Sequence, residues 1–471
     1  MNNLTINSLI FMMLLFTACG NLKKKENRIS DDKVIEIATK AYVFGYPMIL
    51  MDYTKKVSIN VEQITAVYAP INQLGHFREF PDHKFTAVVK PNVDTYYSNA
   101  WFELKDEPIV FTVPATDRFY LLPFYDAYSN VFSVLGTRTT GNEAHTFLLT
   151  GPMWKEKVPE GMTEIKSPTN SVWLIGRTQV HSAEDGATVV VAFQDGMKID
   201  VLSKYDTVYE PEKGVVLEDV KKIVPVENTR ALSIEDYFTK LTQLMVGNPP
   251  AEADTPLIAD MKSIGIVAGQ KFSTKGMSDE LITKLKDIPE KQHQIWIAKT
   301  TGKMDAGTPI VNNWMVVVKG MGSYGTDYDF RALIAFTGLG ALLAADAVYP
   351  MTTKDKDGNQ IMGVDKYVLH FDKNQIPPVN AFWSLTAYNS KDFLIENSIN
   401  RFALGDRDDL KYNEDGSLDI YIQNTDPGGN KTSNWLPSTQ EGATTLTLRL
   451  YWPKESVLDG TWIVPAVKKV E

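Results

Sequence analysis

Short apolar runs of strand length, each bounded by turn residues, constrain the fold of this chain more than any other feature. They begin near Lys84 and return after Pro350, on either side of a segment with a different pattern. Such a rhythm, at intervals of about 10 to 20 residues, is typical of antiparallel sandwiches or barrels rather than of alternating strands and helices. The clearest runs are "FTAVVKPNVDTYYSNAWFEL", "RFYLLPFYDAYSNVFSVL", "SVWLIGRTQV", "KYVLHFD" and "TTLTLRLYWP".

One strand-like sequence pattern, called a phrase below, occurs twice in the chain. It reads "FYLLPFYD" at residues 119–126 and "FWSLTAYN" at residues 382–389. Both begin with two aromatic residues, carry Leu at the fourth position and end in Tyr followed by Asp or Asn. Either the likeness is chance, or the two phrases are equivalent core strands of two related sandwiches.

The remaining parts of the chain have helical patterns. Ser30 followed by Asp31 and Asp32 is a strong helix start, because a hydroxyl cap and two carboxylates suit the positive end of the helix dipole. Helical periodicity then dominates from about Leu232 to Pro350, with one strand predicted in "PIVNNWMVVVK". We therefore predict a mainly β protein with α insertions (α+β), built from two tandem jelly-roll-like antiparallel sandwiches. The expected units are an N-terminal helix with the first sandwich over 31–230, a helical connecting region over 231–350 and the second sandwich over 351–471.

The single cysteine, Cys19, indicates where the protein resides. The apolar run Leu9 to Phe16 has the length of a signal-peptide core, and "LFTAC" resembles a bacterial lipobox. Residues 1–18 are thus predicted to be a signal peptide and residues 19–30 a lipidated tether that faces the periplasm. The first 18 residues contain no Lys or Arg, so a buried N-terminal helix with an ordinary cysteine stays an alternative.

Charge and cysteine usage exclude several classes of function. The net charge of −10, from 48 basic and 58 acidic side chains, argues against a nucleic-acid partner, which needs a clustered basic face. One cysteine cannot form an internal disulfide or a cysteine-rich zinc site. No metal site is predicted from the scattered histidines, although ligands gathered from distant strands stay an alternative.

The stretch "PNVDTYY" is the first candidate for a functional site. Asn92, Asp94, Tyr96 and Tyr97 place an amide, a carboxylate and two phenols within one turn and strand. A carboxylate beside phenolic donors can orient a polar ligand or act as a general base when burial raises its pKa. Alternatively, Asn92 and Asp94 only satisfy the backbone amides of a turn.

The loop "GTRTTG" is the second candidate. Arg138 and Thr139 lie between two glycines, and a guanidinium in such a loop suits a carboxylate or a phosphate. The alternative is a structural ion pair, for which Asp126 on the preceding strand is the expected partner.

Two further motifs are given structural interpretations. Arg401 and Asp406 form a natural buried pair, which is weak evidence for catalysis. "GMGSYG" at residues 320–325 matches the dinucleotide fingerprint, but the sequence does not continue as a parallel strand with an acidic end, so no nucleotide site is predicted.

Several strings together resemble a known bacterial family. They are "KPNVDTYYSNAW", "GTRTTG", "SVWLIGRTQV", "INRFALGDRDDLKYNEDGSLDIYIQNTDPG", "NWLP" and "LRLYWPKESVLDGTW". The chain is similar to proteins that pair domain of unknown function 1254, here at about residues 40 to 180, with domain of unknown function 1214, at about 350 to 460. The resemblance implies two jelly-roll-like sandwiches with helical elements, and it implies no reaction.

Three functions follow as hypotheses from these residues. The first is a lipoprotein that binds a small polar or amphiphilic molecule through Asn92, Asp94, Tyr96, Tyr97, Arg138 and Thr139. The second is an enzyme at the same place, with Asp94 or Asp126 as acid/base and Arg138 as an anion clamp. The third is a scaffolding envelope protein, which would show a broad apolar patch instead of a concave site.

Overall fold

The structure is a computed structural model that describes residues 29–471. The predicted signal peptide, Cys19 and most of the predicted tether lie outside the described residues.

The N-terminal helix α1 (Asp31–Ser58) is the centre of a helical unit. It begins where the sequence predicts, with the Ser30 hydroxyl accepting a hydrogen bond from the Lys33 amide at 3.3 Å. Its length and apolar composition would suffice to cross a membrane, yet 78% of its most apolar window is buried inside the protein. A long buried helix of this kind is the core element of a helical bundle.

The helices that surround α1 come mainly from the central part of the chain. Helices α2 and α3 are short and belong to the first sandwich, at Ala183–Asp185 and Val191–Gly196. The bundle consists of α4 (Pro225–Ala231), α5 (Ile234–Gly247), α6 (Thr255–Ser263), α7 (Asp279–Lys286), α8 (Ile288–Thr300) and α9 (Tyr328–Gly338). Their apolar faces share one hydrophobic core with α1. The short α10 (Glu455–Leu458) follows the last long strand of the chain.

The first sandwich contains nine strands in two sheets. Its inner sheet has the order β1-β2-β8-β4-β5 and its outer sheet the order β7-β6-β3-β9, with only β6 and β7 parallel. The strands are β1 (Leu74–Phe77), β2 (Thr95–Glu103), β3 (Ile109–Val113), β4 (Tyr120–Tyr125), β5 (Val131–Gly136), β6 (His145–Thr150), β7 (Thr163–Lys166), β8 (Ser171–Gln179) and β9 (Lys198–Val201).

The second sandwich is built in the same way. Its inner sheet has the order β10-β11-β13-β19-β15-β16, with β12 also on β19, and its outer sheet the order β18-β17-β14-β20. The strands are β10 (Ile310–Val311), β11 (Trp314–Met315), β12 (Ala347–Val348), β13 (Met351–Thr352), β14 (Lys366–Phe371), β15 (Val379–Asn389), β16 (Ala403–Gly405), β17 (Leu418–Gln423), β18 (Trp435–Pro437), β19 (Thr444–Pro453) and β20 (Val467–Val470).

The two sandwiches repeat one topology strand for strand. Strands β2 to β9 occupy, in chain order, the positions of β13 to β20, and the parallel pair β6–β7 corresponds to the parallel pair β17–β18. The phrase "FYLLPFYD" contains β4, and the phrase "FWSLTAYN" lies within β15. These two strands hold the same place in their sheets. The likeness between the phrases therefore marks equivalent core strands.

The inner sheets of the two sandwiches pack against each other. Trp101, Leu121 and Tyr125 from the first sandwich share a buried cluster with Phe382 and Tyr451 from the second. The rings of Phe119 and Phe382, which open the two phrases, lie 5.9 Å apart. Because equivalent residues meet at this junction, the two sandwiches are related there by an approximate two-fold rotation.

Two sequence predictions about local structure are wrong. The helical pattern predicted up to about Pro350 does not stay helical beyond Gly338, because Gly340 adopts a φ of 89° and a Cβ there would lie 2.8 Å from the Trp173 ring. The strand predicted in "PIVNNWMVVVK" is a hairpin of two short strands, because Asn312 and Asn313 both take positive φ values in the turn between them.

Candidate functional site

The described part of the chain contains a cavity of about 810 Å³ and another of about 960 Å³, and the second of these adjoins the sandwich junction. The larger cavity lies between strands β1, β2 and β8 and the loops that flank β1. Aliphatic and aromatic side chains predominate in its lining: Ile64, Val67, Phe77, Phe80, Phe85, Val88, Ile175 and Leu339. The polar part of the lining includes His76, Arg78, Glu79, Lys90, Asn92, Thr95, Tyr97 and Arg177. An apolar chamber with a few converging polar groups is the usual form of a small-molecule site.

Arg177 is the buried charge of this cavity. Strand β8 places it opposite Tyr97 of β2, and its guanidinium carbon lies 5.1 Å from the centre of the Tyr97 ring. Only 8% of the residue is exposed. Its Nη1 donates to the Ile175 carbonyl at 3.0 Å, whereas its Nε has no partner within the described residues.

Asn92 and Tyr97 form a fixed polar network beside Arg177. The Asn92 Oδ1 accepts from the Asp94 amide at 2.7 Å, which orients the Asn92 Nδ2 as the donor. That Nδ2 lies 3.1 Å from the Tyr97 hydroxyl and 2.8 Å from the Tyr451 hydroxyl. The Nδ2 also lies 3.0 Å from the Thr95 hydroxyl, so its two protons serve three oxygens. The Tyr97 hydroxyl donates to no acceptor within the described residues, so its own proton is available to a bound molecule.

The other cations of the lining, Arg78 and Lys90, are compensated by neighbours. Arg78 is paired with Asp195, and the Lys90 Nζ lies 2.6 Å from Asp392 in the second sandwich. Burial, together with the charge of Arg78, lowers the pKa of His76 to about 4. His76 is therefore neutral at pH 7, with its Nδ1 2.9 Å from the Ser98 hydroxyl.

Asp94 lies outside the cavity lining, in a buried ion pair across the sandwich junction. One carboxylate oxygen accepts from Arg407, and the other accepts from the Ser384 hydroxyl at 2.6 Å. Arg407 also donates to the backbone carbonyls of Asp94 at 3.0 Å and Val180 at 2.7 Å. These contacts make Asp94 a connector between the first and second sandwiches.

Arg138 makes the reciprocal ion pair. Its Nε lies 2.7 Å from the Oδ1 of Asp346, so the expectation that its partner is Asp126 is wrong. The physical reason is the approximate two-fold relation: Arg138 follows the end of β5 by two residues, as Arg407 follows the end of β16. Each sandwich therefore supplies the arginine that pairs with the aspartate of the other.

The remaining candidate residues serve the local structure. Thr139 donates to the Val134 carbonyl at 2.7 Å, and Tyr96 points to the opposite face of β2, 5.1 Å from the Phe80 ring. Asp126 accepts from the amides of Tyr128 at 2.8 Å and Asn130 at 2.9 Å, in a buried turn. Burial raises the pKa of Asp126, and its hydrogen bonds from Asn130 oppose that rise.

The pair predicted between Arg401 and Asp406 is absent from the described residues. Arg401 donates instead to the backbone carbonyls of Thr432 at 2.8 Å and Trp435 at 2.9 Å. Asp406 accepts from the Trp383 amide at 3.3 Å, and burial raises its pKa to about 6. Backbone carbonyls in the long hairpin ends satisfy Arg401 without a carboxylate.

Arg177 is the cavity residue that the sequence motifs did not indicate. It stands within the quoted run "SVWLIGRTQV", and an arginine in an apolar strand is the signal that could have revealed it. The register pairs Leu121 with Arg177 and Ser384 with Arg449. Since Leu121 and Ser384 hold the same place in the two phrases, Arg177 and Arg449 are equivalent residues.

Within residues 29–471 no group of three or more His, Cys, Asp or Glu side chains is arranged to hold a metal ion.

Fold and cavity define this protein as a tandem sandwich protein with a ligand-sized chamber beside the junction of its two units. The chain matches the family model described as protein of unknown function DUF1254 over residues 71–201 and the model described as protein of unknown function DUF1214 over residues 346–455. It carries both domains in the order that the sequence predicted.

A solved structure with the same fold exists. The crystal structure of the VPA0106 protein from Vibrio parahaemolyticus is 22% identical, with a TM-score of 0.69 over 93% of this chain and 100% of that chain. An uncharacterized protein from Burkholderia cenocepacia is 12% identical over 93% of this chain and 95% of that chain, with a TM-score of 0.45. No curated protein matches the chain. The Vibrio structure shows a shared fold and carries no activity over to this protein.

Proposed function

We propose that this protein binds a small amphiphilic molecule in the cavity lined by β1, β2 and β8. The observation that carries the proposal is the combination of a cavity of about 960 Å³ with an apolar lining and one buried, incompletely paired arginine. Its volume lies in the range of known small-molecule sites, about 300 to 1,000 Å³.

Exposed aliphatic side chains in the lining support an amphiphile over a purely polar ligand. Ile64 and Val88 line the cavity and are 51% and 60% exposed. Isolated exposed aliphatic residues need no explanation, but several that line one chamber favour contact with an alkyl or ring system. The alternative of a scaffold with a broad, flat apolar face is less consistent with a concave site.

Binding is favoured over the acid/base enzyme because both candidate carboxylates are already engaged. Asp94 is held by Arg407 and Ser384, and Asp126 is held by backbone amides of its own turn. Neither lines the cavity. A general acid or base must lie within hydrogen-bond reach of the reacting group.

Two adjacent valines allow a matched test of the cavity. Val88 lines it, whereas Val89 is 52% exposed and lies outside the lining. We expect Val88→Asn to weaken binding of decan-1-ol and decanoate about fivefold, since an apolar contact is lost, while Val89→Asn leaves both affinities unchanged. Isothermal titration calorimetry on the three proteins checks this. The proposal fails if neither compound binds the unmodified protein, or if the two variants lose affinity equally.

We also propose that the protein is held at the envelope membrane by acylation of Cys19, facing the periplasm. The support is the lipobox-like sequence that precedes Cys19. A Cys19→Ala variant expressed in the native host should accumulate unprocessed, and globomycin should block processing of the unmodified protein; fractionation and intact mass measure both. Normal processing of Cys19→Ala would contradict the anchor.

A further inference from the structure

We infer that the ligand of the cavity carries an anionic head group, which binds to the guanidinium of Arg177 and to the hydroxyl of Tyr97. This inference rests on the proposed function and specifies the chemistry of its ligand. The tail of the amphiphile would then contact the apolar side chains of the lining, and its head group would contact Arg177 on β8 and Tyr97 on β2.

The first support is that Arg177 is buried without an acidic partner. Within residues 29–471 no carboxylate oxygen lies within 4.0 Å of its nitrogens, and its Nε has no hydrogen-bond partner. The Oδ1 of Asp346, the neighbouring acid, is engaged by Arg138 at 2.7 Å, and its Oδ2 has no hydrogen-bond partner within the described residues. Arginine keeps its charge in proteins, and a buried charge is normally paired because leaving it unpaired is costly. The Nε itself is closed to solvent, so an anion in the cavity would balance the charge through the part of the side chain that remains accessible.

The equivalent arginine in the second sandwich shows what a purely structural residue looks like at this position. Arg449 likewise has no carboxylate within 4.0 Å in the described chain, but it donates to the Thr386 hydroxyl at 2.7 Å, the Tyr388 hydroxyl at 2.6 Å and the Lys90 carbonyl at 3.1 Å. In the first sandwich, Pro123 stands where Thr386 stands in the second, so the hydroxyl acceptor is missing. The two arginines share one fold position, and the one that faces the cavity is the one left incompletely paired.

The second support is the charge balance of the lining. Arg78 and Lys90 are each compensated by an aspartate, Asp195 and Asp392. Arg177 is therefore the cation of the lining that lacks a carboxylate within the described chain. Glu79, the acidic residue of the lining, is exposed at the surface.

The third support is the availability of a second donor beside the guanidinium. The Tyr97 hydroxyl lies 3.1 Å from the Asn92 Nδ2 and donates to no acceptor within the described residues, so its proton is free for a ligand oxygen. Its ring also stacks under the Arg177 guanidinium at 5.1 Å and limits the rotation of that group. A planar guanidinium fork with an adjacent hydroxyl suits the oxygens of a carboxylate or of a phosphate.

The test compares ligands that share one tail and differ in the head. Decanoate, decyl phosphate and decan-1-ol are titrated into the unmodified protein and into variants Arg177→Met and Arg78→Met. Since hydrogen bonds to charged groups are the strong ones, we expect the unmodified protein to bind at least one of the two anions at least about tenfold more tightly than the alcohol. Arg177→Met should abolish that preference and leave binding of the alcohol unchanged. Arg78→Met, which removes a compensated cation from the same lining, should retain the preference.

The outcomes separate this inference from the proposed function. If the alcohol binds as tightly as both anions and Val88→Asn weakens all three, the cavity is a binding site and the anionic head is wrong. If no compound binds, the proposed function itself fails. Should Arg177→Met not fold, the affinities of the three compounds for the unmodified protein still show whether an anionic head group is preferred. Arg177→Lys, which keeps the charge and loses the planar guanidinium, then tests the role of that group. The anion that binds more tightly distinguishes a carboxylate head from a phosphate head.

Discussion

Among single residues, His293 in the helical core opposes folding in acid. It is 1% exposed, packs 5.6 Å from the Tyr46 ring, and its Nε2 has no partner within the described residues. Burial, followed by the charge of Arg230, lowers its pKa to about 4. In the unfolded chain a histidine titrates near pH 6.5, so below that value the unfolded state takes up a proton that the folded state does not.

The pH dependence of stability follows from this difference. The contribution of His293 is fully present above about pH 6.5 and is lost as the pH falls toward about 4, by at most about 3 kcal/mol, since each pKa unit corresponds to about 1.4 kcal/mol. His293→Phe should reduce the fall in unfolding free energy between pH 7 and pH 4.5, as measured in urea. Part of the dependence of the unfolding free energy on pH should remain in this variant, because the pKa of His76 is also lowered to about 4. An unchanged slope in His293→Phe would show that this histidine is not held neutral by the core.

The candidate site was predictable from the sequence in part. Asn92 and Tyr97 line the cavity, because the turn and strand of "PNVDTYY" place alternate side chains on one face. Asp94 and Arg138 were chosen for their chemistry, and each is engaged by a partner more than 200 positions away in the chain. Local sequence carries no signal for such partners. Pairing "SVWLIGRTQV" with "TTLTLRLYWP" by register would have revealed Arg177 and Arg449 together.

At the scale of elements, the sequence specified strands better than the ends of helices. Period-two patterns and turn residues determine the strands of a half-buried sheet, so both sandwiches and the equivalence of β4 and β15 could be predicted. Helical periodicity could not show that α9 ends at Gly338, because the residues after it remain apolar where they pack against the first sandwich. Leu342 and Ala347 are buried, and Leu339 is partly buried, by tertiary contacts rather than by a helix.

The location of α1 also depends on tertiary structure. Its sequence adjoins the first sandwich, yet its apolar residues pack in the core formed with α5 and α9. A helix that is apolar on most of its surface needs several neighbours, and here the central part of the chain supplies them. The helical region is thus a unit built around α1, which the order of elements along the chain does not indicate.

For the whole molecule, the two reciprocal ion pairs across the junction determine how the sandwiches are joined. Asp94 with Arg407 and Asp346 with Arg138 occupy equivalent positions, and both aspartates are almost fully buried. The carbonyl of each aspartate also accepts a backbone amide, from Val180 at 3.1 Å and from Trp452 at 2.7 Å. An arrangement that occurs twice in this form fixes the orientation of one sandwich on the other.

Removal of one partner of the more buried pair should therefore destabilise the protein strongly. We expect Asp94→Ala to lower the unfolding free energy by about 3 kcal/mol or more, since it leaves the charge of Arg407 buried at the junction without its carboxylate. Arg407→Met should have a similar effect for the complementary reason. The double variant should lose less than the sum of the two, because no uncompensated charge is left behind. Urea unfolding of the unmodified protein, the two single variants and the double variant, compared as a double-mutant cycle, measures the coupling directly.

Glu36→Ala, which removes a surface partner of Lys33 and Lys40, serves as the control and should cause no measurable change in the unfolding free energy. Additive effects of Asp94→Ala and Arg407→Met would contradict a coupled pair and would leave the apolar cluster around Phe119 and Phe382 as the main contact between the sandwiches.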